Sequence, residues 1–543
     1  MNKTLLALGL GLALTAGAAD AANVRLVNVD VAGVGLNETT PATPAGGNPG
    51  TTLGQQRTNA YQFAADLWGG VLKSNVDIRV NASFAPLTCD ATSAVLGSAG
   101  PTYIFINGPG MVPNVIYPSA LYDAIAGGDG VPGGPDISSQ FNGKIGTPGC
   151  LESSGGWYYG LDGKTPVGKI NFLNVVMHEI GHGLGVAGFL NKSTGALYAG
   201  YSDIYTRNAY DNVRGLRFDD PGMTNADRAN AMKTPGRTVW AGANVNSQAS
   251  LLLDQRRVLS VAAGPAAGNY ELGYAVFGPA ATSAAMPANQ LVLVNDGVAS
   301  PSATDGCEAP FVNAAAIAGK YAVIDRGTCS FKIKVRNAQL AGAVGVVIAS
   351  NAAGVQDMGE DATVTQAITI PSVLVSNVDG ATLKANLPLT AGIATPPGVL
   401  QGADNAGRVR LYAPTVVAGG STFSHFDTAL QPNALMEPFD TPSVQAQVLV
   451  DLTPALLQDL GWQLQTAGTK LGTCDTTVPG VKVGGLIPGS NVLGQAGVCK
   501  AIFPGSKASY AKCVMDRSLP LQQVGLISYL QRDQIFKCAS LQP

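Results

Sequence analysis

The chain has 543 residues, enough for about three or four domains of ordinary size. Its 33 basic and 36 acidic side chains leave a formal net charge of -3, and only 13% of residues are charged against 46% hydrophobic. This near-neutral balance gives neither the basic footprint of a nucleic-acid-binding protein nor a polybasic membrane contact, and it leaves a large core to be buried.

The chain opens with MNKTLLALGLGLALTAGAADAAN, in which Lys3 precedes an apolar run over residues 5–19 and small residues follow. Residues 1–22 read as a secretory signal peptide, which predicts a secreted, extracellular or periplasmic protein. No later segment is long and apolar enough to span a bilayer. The eight cysteines, Cys89, Cys150, Cys307, Cys329, Cys474, Cys499, Cys513 and Cys538, are even in number and contain no C-x-x-C pair. In an exported chain that pattern predicts disulfides rather than a cysteine zinc site. Cys89 is expected to pair with Cys150 rather than to act as an inhibitory metal ligand, and the last four cysteines leave three connectivities open.

After the signal, TTPATPAGGNPGTTLG is too rich in Gly and Pro for regular structure. Residues 55–73 carry Tyr61, Ala64, Ala65, Leu67, Trp68 and Leu72 at helical spacing, and VDIRVNASF (76–84) alternates as a strand. TYIFI (102–106) predicts a short buried strand. GGDGVPGGPD (127–136) predicts a solvated loop; its carboxylates offer a weak structural Ca²⁺ site but no EF-hand pattern. Residues 268–403 alternate strand and helix through GKYAVIDRG (319–327), KIKVRNAQLAGA (332–343), VGVVIAS (344–350) and ITIPSVLVS (368–376), the texture of a separate α/β module. DLTPALLQDLGW then predicts a helix opened by Pro454 and capped by Thr453. The tail, 466–543, adds two helical stretches near 507–516 and 520–537. Three N-x-S/T triplets, at Asn37, Asn81 and Asn191, arise too readily by chance to decide anything.

The chemistry concentrates in HEIGHGLGVAG (178–188), preceded by NFLNVVM. Residues 171–184 have helical length, so His178 and His182 project from one face and can share a Zn²⁺ ion, with Glu179 beside them as general base for a metal-activated water. A catalytic zinc uses three protein ligands. The chain has three histidines in all, so His425, in STFSHFDTALQPNALMEPF, is the candidate third ligand; Glu437 and the acidic residues of YSDIYTRNAYD (201–211) compete with it. Gly185 can end the helix in the left-handed conformation and let a later loop approach the metal.

HEIGHGLG, followed by SHFD and by Met436 in ALMEP, resembles the metzincin metallopeptidases, in particular the leishmanolysin type. The compact pattern of most metzincins carries its third histidine where this chain has Gly188, and leishmanolysin-like enzymes depart from it similarly, through an insertion. The resemblance implies His178, His182 and His425 as ligands of one catalytic Zn²⁺, Glu179 as base and Met436 as the methionine beneath the metal. Residues 268–403 resemble the protease-associated (PA) domain, and within that resemblance Cys307 and Cys329 fit a disulfide.

The expected fold is therefore α+β: a two-lobed, metzincin-like zinc protease over residues 23–267 and 404–465, interrupted by an α/β PA domain at 268–403 and followed by a small disulfide-bonded tail at 466–543. The expected activity is endopeptidase hydrolysis of proteins or peptides, with no nucleic-acid or membrane partner; oligomeric state stays open. Two alternatives are carried, a zinc aminopeptidase and a catalytically inactive protein-binding homologue that uses the PA domain.

Overall fold

A computed structural model describes residues 21–299 and 301–542. The expected signal peptide lies almost wholly outside them. No helix among the described residues is long and apolar enough to cross a membrane.

The first layer is a four-stranded sheet in the order Val24–Asn28, Ile78–Ala85, Ile137–Asn142, Gly97–Pro101. The first three strands are parallel, and Gly97–Pro101 runs antiparallel at the edge. The helix Leu53–Val71 makes the crossover between the first two strands. It starts where the Thr52 side chain accepts a hydrogen bond from the Gln55 amide, and it buries Ala60, Tyr61, Ala64, Leu67 and Trp68 beneath the sheet. The helix Phe172–Gly183 packs on the same side, and the Trp68 indole N–H donates to the Met177 carbonyl at 3.0 Å. One contiguous core joins these elements to residues 400–462, far along the chain.

The connection between the two parts is a second sheet of eight strands, ordered Gly268–Tyr270, Val258–Val261, Leu389–Ala394, Asn289–Leu293, Tyr321–Asp325, Gly345–Ala349, Ser372–Val375, Gly273–Tyr274. The strands from Asn289–Leu293 to Ser372–Val375 are parallel neighbours, and the helices Phe331–Leu340 and Asn377–Ala385 follow two of them. The sheet reaches back to Val258–Val261, ahead of the boundary expected at 268, and has its own buried clusters. Its chain leaves and returns side by side: Gln255 bridges Leu400, and the Arg256 amide donates to the Val399 carbonyl at 2.8 Å. Glu271 ties it to the rest through Arg410, which donates from both terminal nitrogens, and through Arg256 at 2.9 Å.

Three local expectations are corrected. Ile104 and Ile106 are 38% and 37% exposed, not buried, because Ile104–Ile106 is the edge of a small three-stranded sheet and only Phe105 turns inward, onto Tyr122. Thr453 is the first residue of its helix rather than the cap; Leu452 precedes it and makes no side-chain cap bond. The tail holds a further helix, Pro488–Ile502, and a hairpin, Gly468–Leu471 with Cys474–Pro479, beyond the two helical stretches expected. The cysteines pair as Cys89–Cys150, Cys307–Cys329, Cys474–Cys538 and Cys499–Cys513. In the 127–136 loop, Asp129 accepts from the Val131 amide and Asp136 from the Arg79 amide, so these carboxylates serve the backbone.

Candidate metal centre

The Asn171 side chain caps the helix Phe172–Gly183 by accepting from the Asn174 amide, and Asn174 then grips the late chain in both directions, donating to the Val444 carbonyl and accepting from the Ala446 amide. The helix stops at Gly185, whose φ of 122° is open to glycine, and the Trp462 indole N–H satisfies the freed Leu184 carbonyl at 2.9 Å. His178 and His182 therefore stand one turn apart on a helix held at both ends.

The late chain arrives by strand pairing. Leu411 donates to the Thr238 carbonyl and Trp240 to the Val409 carbonyl, after which Phe423 and His425 pair with Tyr412. Phe423 sits at φ 75°, a costly conformation for a bulky residue, and is fixed by stacking on Phe218 at 5.1 Å and by the Tyr205 hydroxyl on its carbonyl. A Cβ on Gly188 would lie 2.3 Å from the Phe423 ring, and the Gly188 amide donates to the Ser424 hydroxyl. The position that carries a histidine in the compact metzincin pattern is thus filled by the segment that delivers His425.

The three imidazoles meet. The Nε2 atoms of His178, His182 and His425 are 3.0, 3.1 and 3.1 Å apart. Each Nδ1 lies against a backbone carbonyl: His178 on Leu435 at 2.8 Å, His182 on Val186 at 2.7 Å, His425 on Ser421 at 2.7 Å. A carbonyl only accepts, so each Nδ1 carries the proton and each Nε2 presents its lone pair to the centre. An ion about 2.0–2.1 Å from each nitrogen fits just outside that triangle, and three neutral imidazoles are a donor set that zinc takes. Burial holds the histidines in the neutral form: His178 is lowered, His182, also repelled by His178, is pushed down to about 3, and His425, repelled by both, is lowered as well.

Glu179 lines the same cleft, under the edge strand. A Cβ on Gly97 would lie 2.8 Å from its Oε1, so only glycine lets the strand pass over it. Burial pushes its carboxyl up to about 8 against the opposing effect of the Ala99 amide, and a cation on the three histidines would draw it down again. Met436 is fully buried beneath the helix, where a Cβ on Gly181 would lie 2.9 Å from its sulfur.

The rival ligands are engaged elsewhere. Glu437 accepts from the Ala434 amide and the Asn433 side chain, Asp203 from Phe189 and Thr206, and Asp211 from Arg237. A cleft of about 840 Å³ opens over the cluster, lined by the edge strand at 96–99, by 418–425 and by 434–444; among the described residues none of 258–394 lines it. Sequence reasoning missed Lys192 in this cleft, having read its triplet only as a glycosylation sequon, and missed the three carbonyls, which no side-chain signal marks.

The PA domain family matches residues 289–383, so the chain contains a PA domain, and that match covers a minority of its length. Two forms of the C5a peptidase of Streptococcus pyogenes, one from serotype M18, are 36% and 35% identical over 105 residues, which is 19% of this chain. The chain spans only 9% of the length of those relatives. Among solved structures, BSAP, a zinc aminopeptidase from Bacillus subtilis, is 21% identical over 27% of this chain and 35% of that one, with a TM-score of 0.19. An aminopeptidase from Aneurinibacillus sp. strain AM-1 is 22% identical over 29% and 38%, with a TM-score of 0.18.

Proposed function

We propose that this chain is an exported zinc-dependent endopeptidase of the metzincin kind, with His178, His182 and His425 as metal ligands, Glu179 as general base and Met436 as the supporting methionine. The observation that carries the reading is the trio of Nε2 atoms 3.0–3.1 Å apart with every Nδ1 on a carbonyl, an arrangement that leaves three lone pairs aimed at one point. Zn²⁺ bound there would polarise the scissile carbonyl and acidify the attacking water. Glu179 takes the proton released as the water oxygen adds to the carbonyl carbon and hands it to the leaving amine as the C–N bond breaks. Among the described residues Gly97–Pro101 pairs with one strand only, so the backbone groups on its other side that Glu179 does not take offer hydrogen bonds to an extended peptide lying along the cleft. That open edge favours internal peptide bonds in protein or peptide substrates over terminal ones, and a two-lobed protease at 23–267 and 404–465 is the matching architecture. Four disulfides support an oxidising, extracytoplasmic location.

The test uses a fluorogenic peptide blocked at both ends beside a dipeptide with a free amine. The expected result is zinc-dependent cleavage of the blocked peptide, lost by about a hundredfold or more in Glu179→Gln while zinc stays bound. Cleavage confined to the free-amine dipeptide would transfer the chain to the aminopeptidases, and zinc-loaded protein inert on both would leave the inactive binding homologue.

A further inference from the structure

Lys192 is the single lysine or arginine among the described residues that line the cleft. It stands on the turn after the ligand helix, and that turn is rigid: the Asn191 side chain accepts from the Ser193 and Thr194 amides, Gly195 donates to the Asn191 carbonyl, and Arg228 holds the Gly195 carbonyl at 2.7 Å. From there the ammonium reaches the 418–421 loop and donates to the Gly419 carbonyl at 3.1 Å. That is the hydrogen bond it makes among the described residues, and an ammonium has three donors. The loop it grips also holds the third histidine, since the Ser421 carbonyl lies 2.7 Å from His425 Nδ1, and Lys192 lines the same cleft as all three imidazoles. Glu179 lies under the strand at Gly97 and Ala99, which lines the same cleft. The residue Lys192 is half-buried in the cleft wall, which draws its ammonium down to about 8.

We propose that Lys192 is a catalytic residue that donates a hydrogen bond to the carbonyl oxygen of the scissile peptide as it becomes an oxyanion. The inference rests on the peptidase reading above and deepens it. When the water oxygen adds to the carbonyl carbon, the carbonyl electron pair moves to oxygen while Glu179 takes the water proton. When the C–N bond breaks, that pair returns to re-form the carbonyl, and the amine leaves with the proton from Glu179. Lys192 changes no bond in this sequence; it donates to the oxygen whose charge rises and falls, and its position in the cleft wall is set before substrate arrives. A donor already fixed in place stabilises the transition state more than the ground state, so it acts on kcat rather than KM.

The experiment compares wild type, Lys192→Met and Lys192→Arg, each checked for zinc content, on a blocked, uncharged peptide. It also measures the affinity of a phosphonamidate analogue of that peptide, whose tetrahedral oxyanion mimics the intermediate. The expected result is a fall in kcat of about a hundredfold in Lys192→Met with KM nearly unchanged, partial recovery in Lys192→Arg, and weakening of the phosphonamidate by a similar factor. Unchanged kcat and phosphonamidate affinity in Lys192→Met would overturn the assignment, as would a loss that appears in KM and only with substrates bearing Asp or Glu, which would make Lys192 a reader of substrate charge. Wild-type protein without zinc or cleavage would overturn the peptidase reading itself, so the two failures are distinguishable.

Discussion

At the scale of residues, some carboxylates of this chain serve the backbone, and others are held at a cost. Asp66, on the helix Leu53–Val71, meets the tail helix, with Gln62 as its hydrogen-bond donor. Burial pushes its carboxyl up to about 7. Below about pH 4 both the folded and the unfolded chain hold this proton, and the group is neutral to stability. Between there and about 7 the unfolded chain releases the proton while the folded chain keeps it, so stability falls as pH rises, and above about 7 the cost is complete. Asp66→Asn removes the titrating group and keeps a hydrogen-bonding shape. It is expected to melt higher than wild type at pH 8 and at nearly the same temperature at pH 4; a variant no more stable at pH 8 would show that the site relaxes around the charge. The same scale explains what could be read in advance. HEIGH was legible because its spacing is contiguous and helical, and His425 because the chain has no fourth histidine. The carbonyls of Leu435, Val186 and Ser421 that orient the rings were not, because every residue carries one and only the tertiary fold selects which three face inward.

At the scale of elements, the helix Pro488–Ile502 is the largest departure from the sequence reading. Its glycines hid it, since they depress helix propensity and blur the apolar stripe. The structure explains them: a Cβ on Gly494 would meet the Phe63 ring at 2.8 Å and one on Gly497 would meet the Asp66 carboxylate at 2.6 Å, so the glycines let this helix lie close on Leu53–Val71. The segment is thus packed on the helix that carries Trp68, which in turn braces the ligand helix. Truncation at residue 466 is expected to uncover this face and to lower the melting temperature by several degrees or prevent soluble folding, read by calorimetry or circular dichroism. An unchanged melting temperature would return the tail to the status of a removable appendage. TYIFI failed for a related reason: a short apolar run reads alike whether its strand is central or at an edge, and only pairing distinguishes the two.

At the scale of the whole molecule, the long interval between His182 and His425 is bridged by a module that leaves and returns through adjacent residues, Gln255 beside Leu400, with a core of its own. Its texture was legible from alternating strand and helix patterns; its first strand, Val258–Val261, was not, because the strand that completes its pairing, Leu389–Ala394, lies more than a hundred residues on. Replacing residues 258–397 by a short Gly/Ser linker is expected to keep zinc and cleavage of short peptides, since none of the module's described residues lines the cleft. It should lower stability only modestly, because Arg256 and Arg410 lose the Glu271 carboxylate but are opened to water in its place. Loss of zinc on excision would mean that the module holds the late chain in place. The central claim is that a loop from beyond this module completes the metal site. Zinc content of purified wild type and of His425→Ala, by atomic absorption with a folded far-UV spectrum as control, tests it most directly. One zinc per wild-type chain and its loss in the folded variant are expected; a folded variant that retains full zinc would show that His425 is not a ligand.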